Sequence, residues 1–153
     1  MEARRPIRLL VVEDDPAYLY LIQKAFGARQ DETRWDLSVA NDGAEALHVL
    51  MEEEQENVPL PDLILLDWNL PKVSGGEVLK RMKQDRHLCK IPILVFSSSK
   101  ADADVTDAYA DHANGFITKP GDTDLLAEIV QKIEQFWISV VTLPKIVRLK
   151  SNP

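Results

Sequence analysis

The sequence reads as an α/β protein: a doubly wound sheet of five parallel strands with five helices, the last of them extended. Three observations carry this. Short apolar runs alternate with stretches of helical periodicity five times along 153 residues. The run Leu63-Ile64-Leu65-Leu66 is continuously apolar and lies between Pro61 and Pro71, as a strand covered on both faces would. Strand–helix alternation of this kind favours parallel strands joined by right-handed crossovers, with helices on both sides of the sheet.

The first strand is Ile7-Arg8-Leu9-Leu10-Val11-Val12, β-branched toward its end, and it stops at Glu13-Asp14-Asp15-Pro16. Asp15 suits an N-cap and Pro16 the first helical position. Tyr18, Leu19, Leu21, Ile22, Ala25 and Phe26 then recur at helical spacing up to Gly27. Trp35 to Ala40 alternates like a half-buried strand, Asn41-Asp42-Gly43 turns, and a helix from Ala44 carries Ala46, Leu47, Val49, Leu50 and Met51. It runs out in Glu52-Glu53-Glu54-Gln55-Glu56, a solvated acidic end without assigned function. The central strand Leu63–Leu66 leads into Asp67, and Ser74-Gly75-Gly76 opens a third helix with Val78, Leu79 and Met82 inward. Ile91 to Phe96 is the fourth strand, ending in Ser97-Ser98-Ser99. A weaker helix, Ala101 to His112, precedes the short strand Gly115–Thr118, which ends at Lys119-Pro120-Gly121. The last helix starts near Asp122, with Leu125, Leu126, Ile129, Val130, Ile133, Phe136, Trp137, Val140 and Val141 as its stripe.

This length suits one domain, residues 6–141, followed by a tail, 142–153. A single cysteine, Cys89, excludes an internal disulfide and reads as a packing residue. No signal-peptide region and no membrane-length apolar run occurs, so the expectation is a cytoplasmic protein with no membrane partner. The net charge of −7 speaks against a nucleic-acid partner.

In a parallel sheet the carboxyl ends of the strands share one edge, where ligands bind. That edge gathers Glu13, Asp14 and Asp15, then Asp67, Ser97 and Lys119. Each has a plainer reading: Asp67 a turn, Asp14 and Asp15 caps, Ser97 a turn, Lys119 a solvated lysine. Together they point to chemistry. Carboxylates ~4 Å apart repel by about 4 kcal/mol at an effective dielectric near 20, so Glu13, Asp14 and Asp67 need a cation. Oxygen donors in a small, partly hydrated site suit Mg²⁺. None of His48, His87 or His112 follows a strand, which argues against zinc. A carboxylate beside a metal, a lysine and a hydroxyl is a phosphoryl-transfer layout: Asp67 can carry the group while Lys119 and Ser97 hold its oxygens.

The motifs Val11-Val12-Glu13-Asp14-Asp15-Pro16, Leu65-Leu66-Asp67-Trp68-Asn69-Leu70-Pro71, Val95-Phe96-Ser97-Ser98 and Phe116-Ile117-Thr118-Lys119-Pro120 resemble the receiver domain of two-component response regulators. The resemblance covers about residues 6 to 135. It implies a flavodoxin-like strand order 2-1-3-4-5, with Asp67 the phosphoacceptor from a histidine kinase. Mg²⁺ would be bound by Asp14, Asp67 and the Asn69 carbonyl, and by Glu13 through water. Ser97 and Phe116 would be the switch residues. Such a receiver catalyses only its own phosphorylation and dephosphorylation and is not otherwise an enzyme. Three positions depart from the pattern: Gly121 stands where an apolar residue is usual, Ser97 for Thr, and Phe116 for Tyr. Phe136-Trp137 and Val141-Thr142-Leu143-Pro144 are similar to the ends of small regulators paired with phytochrome histidine kinases, often dimers through helix four, strand five and helix five.

Independently, the last helix runs about 20 residues or roughly 30 Å, longer than the sheet needs. Phe136, Trp137, Val140 and Val141 would overhang and form a homodimer interface, or the tail would fold back on its own domain. Lys145 to Lys150 alternates charged and apolar residues, and could form an edge strand, cover a dimer, or be disordered. The expected function is a stand-alone phosphorylation switch that signals by altered protein contacts. The alternatives are an Asp-nucleophile phosphatase, for which Asn69 stands where a second Asp is needed, and a docking module that is never phosphorylated.

Overall fold

A computed structural model of the chain describes residues 5–27, 35–52 and 60–145. The acidic run from Glu53 and the tail from Ile146 lie outside the described residues. Five parallel strands form one sheet in the order β2-β1-β3-β4-β5. They are β1 (Ile7–Val12), β2 (Trp35–Ala40), β3 (Leu63–Leu66), β4 (Ile93–Ser97) and β5 (Gly115–Thr118). The helices are α1 (Pro16–Phe26), α2 (Gly43–Met51), α3 (Gly75–Gln84), α4 (Asp102–Ala110) and α5 (Thr123–Ser139).

Alternation along the strands makes two cores. Leu10, Val12, Ile64, Leu66 and Val95 pack with α2, α3 and Ala108 of α4. Leu9, Val11, Leu63, Leu65, Leu94 and Phe96 pack with α1 and α5. β3 is buried throughout because it is central and covered on both faces.

Local chemistry sets the helix starts. Asp15, Asp42, Ser74 and Asp122 each cap a helix by accepting a backbone N–H in its first turn. Asp42 is therefore a cap as well as a turn residue, and α2 begins at Gly43. Helix α4 is shorter than the expected Ala101 to His112, and two more boundaries differ from the sequence expectation. β4 begins at Ile93, after a 3₁₀ turn over Leu88–Lys90 that Asp85 caps through His87 N and Leu88 N. Helix α5 stops at Ser139, and the N–H groups of Val140 and Val141 both close on Phe136 O.

Candidate functional site

β4 ends in a residue of the site, Ser97, and β1, β3 and β5 run directly into Glu13, Asp67 and Lys119. Val12 and Leu66 are paired, so Glu13 and Asp67 leave the sheet side by side, and Asp67 N donates to Val12 O at 3.1 Å. Carboxylate oxygens of Glu13, Asp14 and Asp67 all lie within 4.8 Å of one another. Glu13 and Asp67 are buried while Asp14 is exposed, leaving an open side. Lys119 Nζ donates to Asp67 Oδ2 at 3.1 Å and also to Glu13 Oε2. Ser97 is wholly buried at the end of β4, and its carbonyl accepts from Lys119 N at 2.8 Å. The four loops inferred from sequence therefore meet at one edge.

Electrostatics ties these groups together. Burial raises the Glu13 carboxyl above its ordinary 4.5; Lys119 opposes this and the Asp67 charge adds to it. Burial pulls the Lys119 ammonium down, but Glu13 and Asp67 outweigh it and leave the group above 10.5. One ammonium cannot neutralise three carboxylates, so the cluster of Glu13, Asp14 and Asp67 keeps an excess of negative charge. Hard oxygen donors with an open side suit a divalent cation.

Asn69 is exposed on the loop after β3, and its N–H donates to Asp67 Oδ1 at 3.3 Å. Phe116 is half-buried against the α2–α3 core and lies opposite Val95. Phe136 and Val140 are exposed, at 51% and 71%. Trp137, by contrast, folds back against the α1–α5 core and stacks edge-on to Phe136, with ring centroids 5.3 Å apart.

Several supporting residues were not singled out from sequence. A Cβ on Gly75 would stand 2.1 Å from Asp67 O, and one on Gly43 1.9 Å from Val73 O, so both glycines let the loop after β3 pack tightly. Lys72 holds that loop at φ 66° and pairs with Asp42 at 3.2 Å. The Tyr18 ring lies under Lys119, 4.8 Å from Nζ, and its hydroxyl donates to Pro120 O. Burial and then the Glu13 charge push that phenol up to about 12. Ser74-Gly75-Gly76 after an apolar strand was the available signal for the glycine; Tyr18 gave none beyond helical spacing.

A doubly wound sheet with three acids, a lysine and a buried serine at its carboxyl edge defines a phosphoryl-accepting signalling receiver, not a metabolic enzyme. Residues 9–131 match the response regulator receiver domain, and the chain belongs to that family. It is 40% identical to "Response regulator Rcp1" of Synechocystis sp. over 144 residues, 94% of this chain and 97% of that one. It also resembles a crystal structure of the phosphorylated cyanobacterial phytochrome response regulator RcpA, with TM-score 0.85, 40% identity, and 92% and 99% of the two chains covered. The Mn²⁺-bound form of Rcp1 gives TM-score 0.81 at 40% identity, over 91% and 99%.

Proposed function

We propose that this chain accepts a phosphoryl group on Asp67 from a phytochrome-type histidine kinase and signals as a stand-alone cytoplasmic switch. The observation that carries this is the buried Asp67 carboxylate, bonded by Lys119 and within 4.8 Å of Glu13 and Asp14. In the transfer, the P–N bond of a phosphohistidine breaks as an Asp67 oxygen bonds phosphorus, and the pair of electrons stays with the imidazole. Glu13, Asp14, Asp67 and the Asn69 carbonyl would hold Mg²⁺, which supplies charge neutralisation at the phosphoryl oxygens when bound. Lys119 holds one of those oxygens by a charge-assisted hydrogen bond, and Ser97 donates its hydroxyl proton to another. Ser97 and Phe116 carry the change to the α4–β5–α5 face. There Phe136 and Val140, with Trp137 and Val141 beside them, form the homodimer contact. Support for the kinase class comes from the phytochrome regulator RcpA, similar over nearly its whole length; support for the metal comes from the Mn²⁺-bound Rcp1.

Phosphotransfer profiling against a panel of purified histidine kinases tests the assignment. A phytochrome-type kinase should label the chain fastest at short times. Preferential labelling by an unrelated kinase would overturn the pairing, and sustained turnover of a generic phosphomonoester would favour a phosphatase.

A further inference from the structure

Helix α4 has little to hold it by packing. Ala108 is its one buried residue, and its N-cap, Ala101, makes no side-chain capping bond. The missing cap is replaced from the loop. Ser99 Oγ accepts from Ala101 N at 3.3 Å and donates to Asp104 Oδ2 in the first turn at 2.5 Å. The backbone N–H of the same Ser99 donates to Ser97 Oγ at 3.2 Å. One residue therefore grips the site hydroxyl through its main chain and the start of α4 through its side chain.

We infer that Ser99 is a positioning residue, which with Asp104 makes the start of α4 follow the Ser97 hydroxyl. This deepens the phosphoryl-transfer reading and rests on it. A serine hydroxyl accepts and donates at once, so Ser97 keeps its bond from Ser99 N while donating to a phosphoryl oxygen. A shift of Ser97 toward Asp67 then draws Ser99 with it. Ser99 Oγ pulls on Asp104, and α4 moves as a unit because two polar bonds, not a buried stripe, fix its first turn. The far end of α4 is held in the same manner. Tyr109 Oη accepts from Phe116 N on the outer edge of β5 at 3.2 Å, so displacement at Asp104 is felt at the strand that bears Phe116.

The test is amide hydrogen exchange of α4 in full-length wild type, Ser99→Ala, Asp104→Ala, the double variant and Ser99→Thr, each with Mg²⁺ and with or without beryllofluoride as the phosphoryl mimic. Without the mimic, Ser99→Ala and Asp104→Ala should each speed α4 exchange severalfold. The double variant should be no faster than either, and Ser99→Thr should restore the wild-type rate. With the mimic, the change in α4 exchange should be lost in both alanine variants and kept in Ser99→Thr. Wild-type α4 exchange in both alanine variants, additive effects in the double variant, or a full mimic response without the pair would each overturn the inference. The arm without mimic needs no phosphoryl chemistry. Failure of wild type to bind the mimic at Asp67 would strike the functional reading and leave the Ser99–Asp104 result standing.

Discussion

Lys119 lies between two buried carboxylates and satisfies both, yet the site keeps an excess of negative charge. Two predictions follow from that excess. Glu13→Gln or Asp14→Asn should stabilise the metal-free protein by about 1 kcal/mol, because one like-charge repulsion is gone, and should remove most of the stabilisation by Mg²⁺. Urea midpoints with and without Mg²⁺ measure both. The second prediction concerns pH. The folded-state value for Glu13 is raised above 4.5, so the stability it contributes is present below 4.5 and lost as pH rises through the folded value. Mg²⁺ needs the ionised form, and stabilisation by Mg²⁺ should therefore grow from acid toward neutral pH, with a smaller slope in Glu13→Gln. A third prediction is steric. In Gly75→Ala the new methyl meets Asp67 O at 2.1 Å, so the backbone carrying the acceptor must move. The expected cost is about 1–3 kcal/mol in urea unfolding, with slower labelling by acetyl phosphate than wild type.

The strands were readable because β3 is short, apolar and bounded by prolines, and because the strand ends carry the site. Elements whose limits come from tertiary contact were less so. The 3₁₀ turn before β4 depends on Asp85 capping two N–H groups. The early end of α5 depends on the closure onto Phe136 O. Neither leaves a periodic signal in sequence. The site residues were legible for a different reason: acids, hydroxyl and lysine each follow an apolar run, and parallel topology alone brings them together. The partners that shape the site were hidden, since Gly75, Lys72 and Tyr18 act through contacts with residues distant in the chain. At the start of β1, Asp62 is buried and accepts from Arg5 Nη1 and Nη2 and from Arg8 N, all at 2.9 Å. Asp62→Ala should cost about 1–3 kcal/mol, because Arg8 N loses its buried acceptor. Denaturant unfolding would show it as a lower midpoint with unchanged slope.

Among the described residues an uncovered apolar area lies at the end of α5. Beside half-buried Trp137, Phe136 and Val140 face outward next to a groove of about 360 Å³ lined by Leu94, Ile117, Ile129 and Ile133. Phe136→Glu should yield a monomer in sedimentation with little loss of fold stability, since the side chain is already 51% exposed; a dimer unchanged by this substitution would move the interface elsewhere. Among the described residues no helix is long and apolar enough to cross a membrane. The proposed dimer contact, the α4 linkage and the acidic pocket would all answer to phosphorylation of Asp67, and intact-mass analysis after incubation with acetyl phosphate and Mg²⁺ tests that event. The predicted result is a single phosphoryl adduct that maps to Asp67, fails to form when the metal is chelated beforehand, and is absent from Asp67→Asn. An adduct that persists in Asp67→Asn, or that forms equally well without a divalent cation, would contradict the account.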